Sequence, residues 1–159
     1  DYNVARTGLS EQEAREAGFD VTTVLAPGPD RPHFMPDSAP LLIKLVVDVG
    51  SRRLLGAQVI GPGEADRRVD VAAMAVAAHQ TVDELANADL TYAPPYSPAM
   101  DNLITACNVA RNKLDGLFHG VAPDEVHERI AEGDVFLLDV RMPGTHGLAA
   151  AQRLAALAP

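Results

Sequence analysis

The sequence predicts an α+β domain built on an antiparallel sheet, and three stretches carry that prediction. Leu41–Asp48 (LLIKLVVD) and Arg53–Ile60 (RLLGAQVI) are apolar, matched in length and joined by Val49-Gly50-Ser51-Arg52, the sequence form of a hairpin. Phe19–Leu25 (FDVTTVL) is rich in β-branched residues and reads as another strand. Ala65–Gln80 has helical periodicity, with Val69, Ala72, Ala73 and Val76 on one stripe.

The remaining elements follow in chain order. Ser10-Glu11-Gln12-Glu13 has capping-box spacing and opens a short helix that Gly18 can end. Ala26–Pro40 holds five prolines and is expected to be a loop, with His33-Phe34-Met35 as an apolar bead on it. Lys44 and Gln58 interrupt the apolar hairpin strands, so one face of the sheet should be partly wet. Gly61-Pro62-Gly63 ends the hairpin. Thr81-Val82-Asp83-Glu84 is a second capping box, opening a short helix that ends near Asn87. A helix from Pro98 to about Lys113, with Ser97 as its cap, would place Leu103, Ala106, Cys107 and Ala110 on one face.

Composition bounds the function. The 159 residues allow one domain plus a piece of another. Hydrophobic content is 47% but aromatics are 4% and Trp is absent, so Leu, Val and Ala must fill the core. A formal net charge of −9 argues against nucleic acid or an anionic membrane surface as partner. No run approaches the roughly 18 apolar residues of a spanning helix, and no signal-peptide pattern opens the chain. Cys107 is the single cysteine, which points to a reducing cytoplasm and reads as a small core residue. Asp1 runs straight into Tyr2-Asn3-Val4, which reads as the middle of a longer polypeptide.

Few residues have the pattern of a chemical site. There is no Gly-x-Gly-x-x-Gly, no Walker-type loop and no metal-ligand spacing among the five histidines. Arg67, Arg68 and Asp70 are most simply a solvated helix face. The exception is Tyr92-Ala93-Pro94-Pro95-Tyr96-Ser97. Its prolines stiffen the backbone and make it a rigid arm with a phenol at each end. On pattern alone it either packs its tyrosines on the core or presents them outward.

From Val4 to about Asp115 the chain resembles the C-terminal dimerisation domain of the pyridine nucleotide-disulfide oxidoreductases. The resemblance rests on Ala5-Arg6-Thr7-Gly8-Leu9, Lys44-Leu45-Val46, Gly56-Ala57-Gln58-Val59-Ile60-Gly61, Arg68-Val69-Asp70 and Thr81-Val82-Asp83-Glu84-Leu85, in order. The ending Asp89-Leu90-Thr91-Tyr92-Ala93-Pro94-Pro95-Tyr96-Ser97 is similar to the coenzyme A-disulfide reductase and NADH oxidase branch. It falls where the glutathione-reductase branch has a His-Pro-Thr…Glu element, so His79 with Glu84 is a local coincidence at a helix end. The resemblance implies a sheet with helices packed on one side, a homodimer, and upstream FAD and NAD domains in the same polypeptide. FAD and NAD(P)H belong to that parent, and this chain alone is expected to bind no cofactor. The implied site residues are Tyr92 first and Tyr96 second, reaching into the partner's active site as hydrogen-bond donors to sulfur. Coenzyme A-disulfide reductases tend to have tyrosine in the earlier loop, where this chain has Phe34 and Met35, which leaves polysulfide reduction or an oxidase activity open.

A boundary near residue 118 separates this domain from residues 119–159. Gly120–Ile130 and Gly133–Arg141 are similar to the first helix and strand of a rhodanese domain, but no persulfide cysteine follows. Asp139-Val140-Arg141-Met142-Pro143-Gly144 is alternatively similar to a response-regulator acceptor segment, which would put a phosphoryl switch at Asp139. A rival reading of the whole is a stand-alone homodimeric interaction protein without enzymatic activity.

Overall fold

The structure, a computed structural model, describes residues 2–117, 119–121, 125, 126, 128 and 129. The chain divides into two units, Asp1–His119 and Gly120–Pro159. In the second unit, Glu125, Val126, Glu128 and Arg129 are helical, and Arg129 pairs with Glu125 one turn back. The rhodanese-like strand expected at Gly133–Arg141, with Asp139 in it, lies outside the described residues.

The first unit runs β1 (Asn3–Gly8), α1 (Glu11–Glu16), β2 (Val21–Pro29), β3 (Pro40–Asp48), β4 (Leu54–Gly61), α2 (Asp66–Ala77), α3 (Val82–Ala86) and α4 (Asn102–Leu114). The four strands form one antiparallel sheet in the order β1-β4-β3-β2. The β3–β4 hairpin forms as expected, with Lys44 directly opposite Gln58 on the wetter face. Both capping boxes close: Ser10 and Thr81 each accept from the backbone of the third helical residue, whose glutamate reaches back.

Two strands differ from expectation. β1 has almost no buried side chain and therefore no apolar alternation to detect. It exists because β4 would otherwise present an unpaired edge, and it pairs from Asn3↔Gly61 to Gly8↔Gly56. β2 continues through Pro29, although Ala26–Pro29 was expected to be loop. As the outermost strand, it tolerates Pro27 and Pro29, whose missing N–H groups weaken only an edge.

The core lies between the sheet and three helices. Ile43, Leu45, Val59 and Leu54 from the sheet meet Val69, Ala72 and Ala75 of α2, Val82 and Leu85 of α3, and Leu103, Ala106, Cys107 and Ala110 of α4. The α2 stripe is rotated from the expected one: Arg68 and Ala75 are buried, Ala73 only partly. α2 also ends at Ala77, and His79 stands just beyond it in a left-handed conformation (φ 57°). On the opposite face α1 places Ala14 over Val46 and Leu55. Gly56 is required here, because a Cβ would collide with the backbone carbonyl of Leu9 as the chain turns into α1. The rest of that face leaves Val4, Leu25, Leu42 and Ile60 exposed.

Leu45 is fully enclosed. Leu45→Ala should destabilise the domain by about 2–5 kcal/mol, measured as a lower urea midpoint with unchanged slope. Burial, with the nearby Asp83 charge, pushes the Cys107 thiol up to about 12. Iodoacetamide at pH 8 should therefore leave native Cys107 unlabelled and modify it only in denaturant.

Candidate functional site

The loop between β2 and β3 and the tyrosine arm between α3 and α4 share one buried anchor. Arg68, on the first turn of α2, is 1% exposed. Its Nη2 donates to the carbonyl of Asp30 at 2.6 Å, and its Nη1 to the carbonyl of Glu64 at 3.1 Å. The same Nη2 lies 3.1 Å from Asp101 Oδ2 as an ion pair. Asp101 in turn accepts from the Ser97 hydroxyl at 3.0 Å and from the Leu103 amide at 2.9 Å.

This corrects two expectations. Arg68 is not part of a solvated face, since it enters the core and collects acceptors from three segments. Helix α4 is capped by Asp101 and begins at Asn102, not at Pro98 under Ser97. Ser97 supports the cap instead. A Pro and a Ser in sequence look like a helix start, but the buried arginine needs its carboxylate at the helix end and sets the boundary there.

The first loop is closed at its root by Asp30. Its amide donates to the Ala39 carbonyl at 2.8 Å, and its carboxylate accepts from Ala39 N at 2.9 Å and from Arg31 Nη2 at 2.9 Å. Burial pushes this carboxyl up, but the Arg31 guanidinium and the amides of Ala39 and Glu64 outweigh that and hold it below the usual carboxylate range. Within the loop, the Met35 amide bonds the Pro32 carbonyl and the Ser38 amide the Met35 carbonyl, leaving Phe34 exposed at the tip.

The arm is folded and not fully extended. The amides of Tyr96 and Ser97 both donate to the Ala93 carbonyl, at 2.9 and 3.1 Å, so Pro94-Pro95 form the centre of a turn. Tyr92 is 52% exposed and Tyr96 62%. The tyrosines therefore do not pack on the core; they face outward. Arg67, another of the three residues expected on a solvated face, reaches the arm as well. Its Nη2 donates to the Thr91 carbonyl at 2.8 Å and its Nη1 to the Tyr96 carbonyl at 3.0 Å.

His79 is exposed at the α2 end, and neither the buried anchor nor the arm uses it. Among the described residues no group of three His, Cys, Asp or Glu side chains could hold a metal ion. No helix among them is long and apolar enough to cross a membrane.

Sheet, helical layer and paired outward loops define an α+β domain that presents two ordered segments from one buried charge cluster. The chain belongs to the pyridine nucleotide-disulphide oxidoreductases as their dimerisation domain, which residues 1–104 match. It is 39% identical over 111 residues to the NAD(P)H coenzyme A polysulfide/persulfide reductase of Pyrococcus horikoshii, covering 70% of this chain and 25% of that protein. It is 35% identical over 101 residues to coenzyme A disulfide reductase of Staphylococcus aureus, covering 64% of this chain and 23% of that one. Among solved structures, the NAD-dependent persulfide reductase from A. fulgidus superposes with a TM-score of 0.75 at 53% identity, over 76% of this chain and 23% of that chain. Reduced CoADR-RHD of Bacillus anthracis superposes with a TM-score of 0.79 at 36% identity, over 89% of this chain and 25% of that chain. The chain thus spans about a quarter of the length of the relatives it matches.

Gly8, Gly56 and Gly61 face the backbone carbonyls of Leu55, Leu9 and Pro40, so these glycines serve chain packing and form no cradle for a pyrophosphate.

Arg68→Met should cost about 3–5 kcal/mol, because it leaves Asp101 buried without its cation. Adding Asp101→Asn should recover part of the loss in urea unfolding. Asp30 has a lowered folded pKa, so its contribution is complete above the ordinary value of 3.8 and is lost as pH falls through the lower folded value. Asp30→Asn should accordingly flatten the most acidic part of the stability-against-pH curve.

Proposed function

We propose that this chain is the dimerisation module of an FAD-dependent NAD(P)H:disulfide oxidoreductase, and that it supplies Tyr92 to the active site of the partner subunit. The observation that carries this reading is the arm itself, which is anchored on the inside by Ser97–Asp101–Arg68 and presents both phenols to the outside. A side chain of this kind, exposed in its own domain but rigidly based, suits work in a neighbouring site.

Residues 1–118 form the module in this reading, and residues 119–159 a truncated rhodanese-like segment. The upstream domains of the same polypeptide hold FAD and NAD(P)H, which supply electron transfer when bound. This chain contributes the Tyr92 Oη–H, which donates a hydrogen bond to the sulfur anion as a disulfide or persulfide bond breaks. Tyr96 plays a lesser part. The substrate class follows the relatives above 30% identity, whose names share coenzyme A and a sulfur–sulfur bond, in a polysulfide or persulfide for one and a disulfide for the other. Phe34 supplies no hydroxyl at the first loop tip, which favours a polysulfide or persulfide over a strict coenzyme A disulfide. The protein works as a homodimer in the cytoplasm, without nucleic acid or membrane.

In the full-length parent enzyme, Tyr92→Phe should lower turnover of the sulfur substrate by about a hundredfold, and Tyr96→Phe less. Flavin content and reduction by NAD(P)H should be unchanged. Equal turnover in Tyr92→Phe and the parent would remove this role. Sedimentation of the 159-residue chain should give a dimer without bound flavin.

A further inference from the structure

We propose that Arg67 is the positioning residue of the tyrosine arm, a role that rests on the reading of Tyr92 as a donor in the partner's site. From Thr91 to Tyr96 the arm makes two kinds of polar bond among the described residues. One is its own turn, through the Ala93 carbonyl; the other is the pair of bonds from Arg67. The two guanidinium nitrogens accordingly hold the arm just before Tyr92 and at Tyr96, so one planar group fixes both ends of the six-residue span.

The placement is costly locally, which argues that it is there for the arm. Arg67 and Arg68 both lie in the first turn of α2, where the helix dipole favours anions. The start of α2 also lacks a side-chain cap, because Ala65 occupies that position. The two arginines divide the work. Arg68 faces inward and secures the arm's base through Asp101 and Ser97. Arg67 stays at the surface and sets where the phenols stand. The fork aims two separate nitrogens at the two carbonyls in a fixed plane, whereas the donors of a lysine ammonium all radiate from one nitrogen on a flexible stem.

The test uses Arg67→Met and Arg67→Lys in two settings. In the 159-residue chain, hydrogen exchange of the Tyr96 and Ser97 amides should quicken in Arg67→Met, with the amides of α4 unchanged. In the full-length enzyme, Arg67→Met should lower kcat roughly tenfold to a hundredfold without changing KM for NAD(P)H, and Arg67→Lys should fall between it and the parent. The loss should vanish in a Tyr92→Phe background, because Arg67 acts through that phenol. Unchanged exchange, or an equal loss of kcat in both backgrounds, overturns the proposal. If exchange quickens while Tyr92→Phe itself leaves turnover intact, the ordering of the arm by Arg67 stands and the role of Tyr92 is what fails.

Discussion

A guanidinium cannot shed its charge on burial, so the interior around Arg68 has to offer it acceptors. It finds them on three segments far apart in sequence: the end of β2 at Asp30, the entry to α2 at Glu64, and the cap of α4 at Asp101. Two of these acceptors are main-chain carbonyls, so Asp101 is the one partner that an apolar substitution would remove, leaving the buried guanidinium without its counter-charge. The roots of both outward loops therefore meet at a single buried side chain. The hydrophobic layer between sheet and helices makes the domain stable, but it does not specify how these loops emerge. The charge cluster does.

Much of the scaffold could be read in advance because its signals are local. The β3–β4 hairpin, the two capping boxes and the Leu103–Ala106–Cys107–Ala110 face each depend on residues a few positions apart, and each formed. The failures share the opposite property. β1 has no alternation of its own and is held by pairing with a strand some fifty residues later. The prolines of β2 are tolerable only because nothing pairs on its outer side, a fact of sheet order and not of sequence.

The site shows the same division more sharply. The tyrosine arm was visible from its prolines and phenols, but its turn through Ala93 was not. Arg67 and Arg68 looked like ordinary surface charge on an amphipathic helix. One weak signal did exist: two cations in the first turn of a helix run against the dipole, and such an inconsistency needs partners elsewhere to explain it. The Asp30 carbonyl and the Asp101 carboxylate that receive Arg68 sit 38 residues before it and 33 after it. Only the fold brings them together.

The outer rim of β2 has a consequence for assembly. An edge strand normally offers alternating donors and acceptors on which another chain can lay a strand of its own. Here Pro27 and Pro29 delete donors from one half, and Lys113 Nζ occupies the Thr23 carbonyl at 2.9 Å in the other. Two copies meeting at this rim cannot zip their sheets into one continuous ribbon. Contact there has to be made by side chains, whose shapes can be matched to one partner and mismatched to others, so the rim is poorly suited to open-ended stacking.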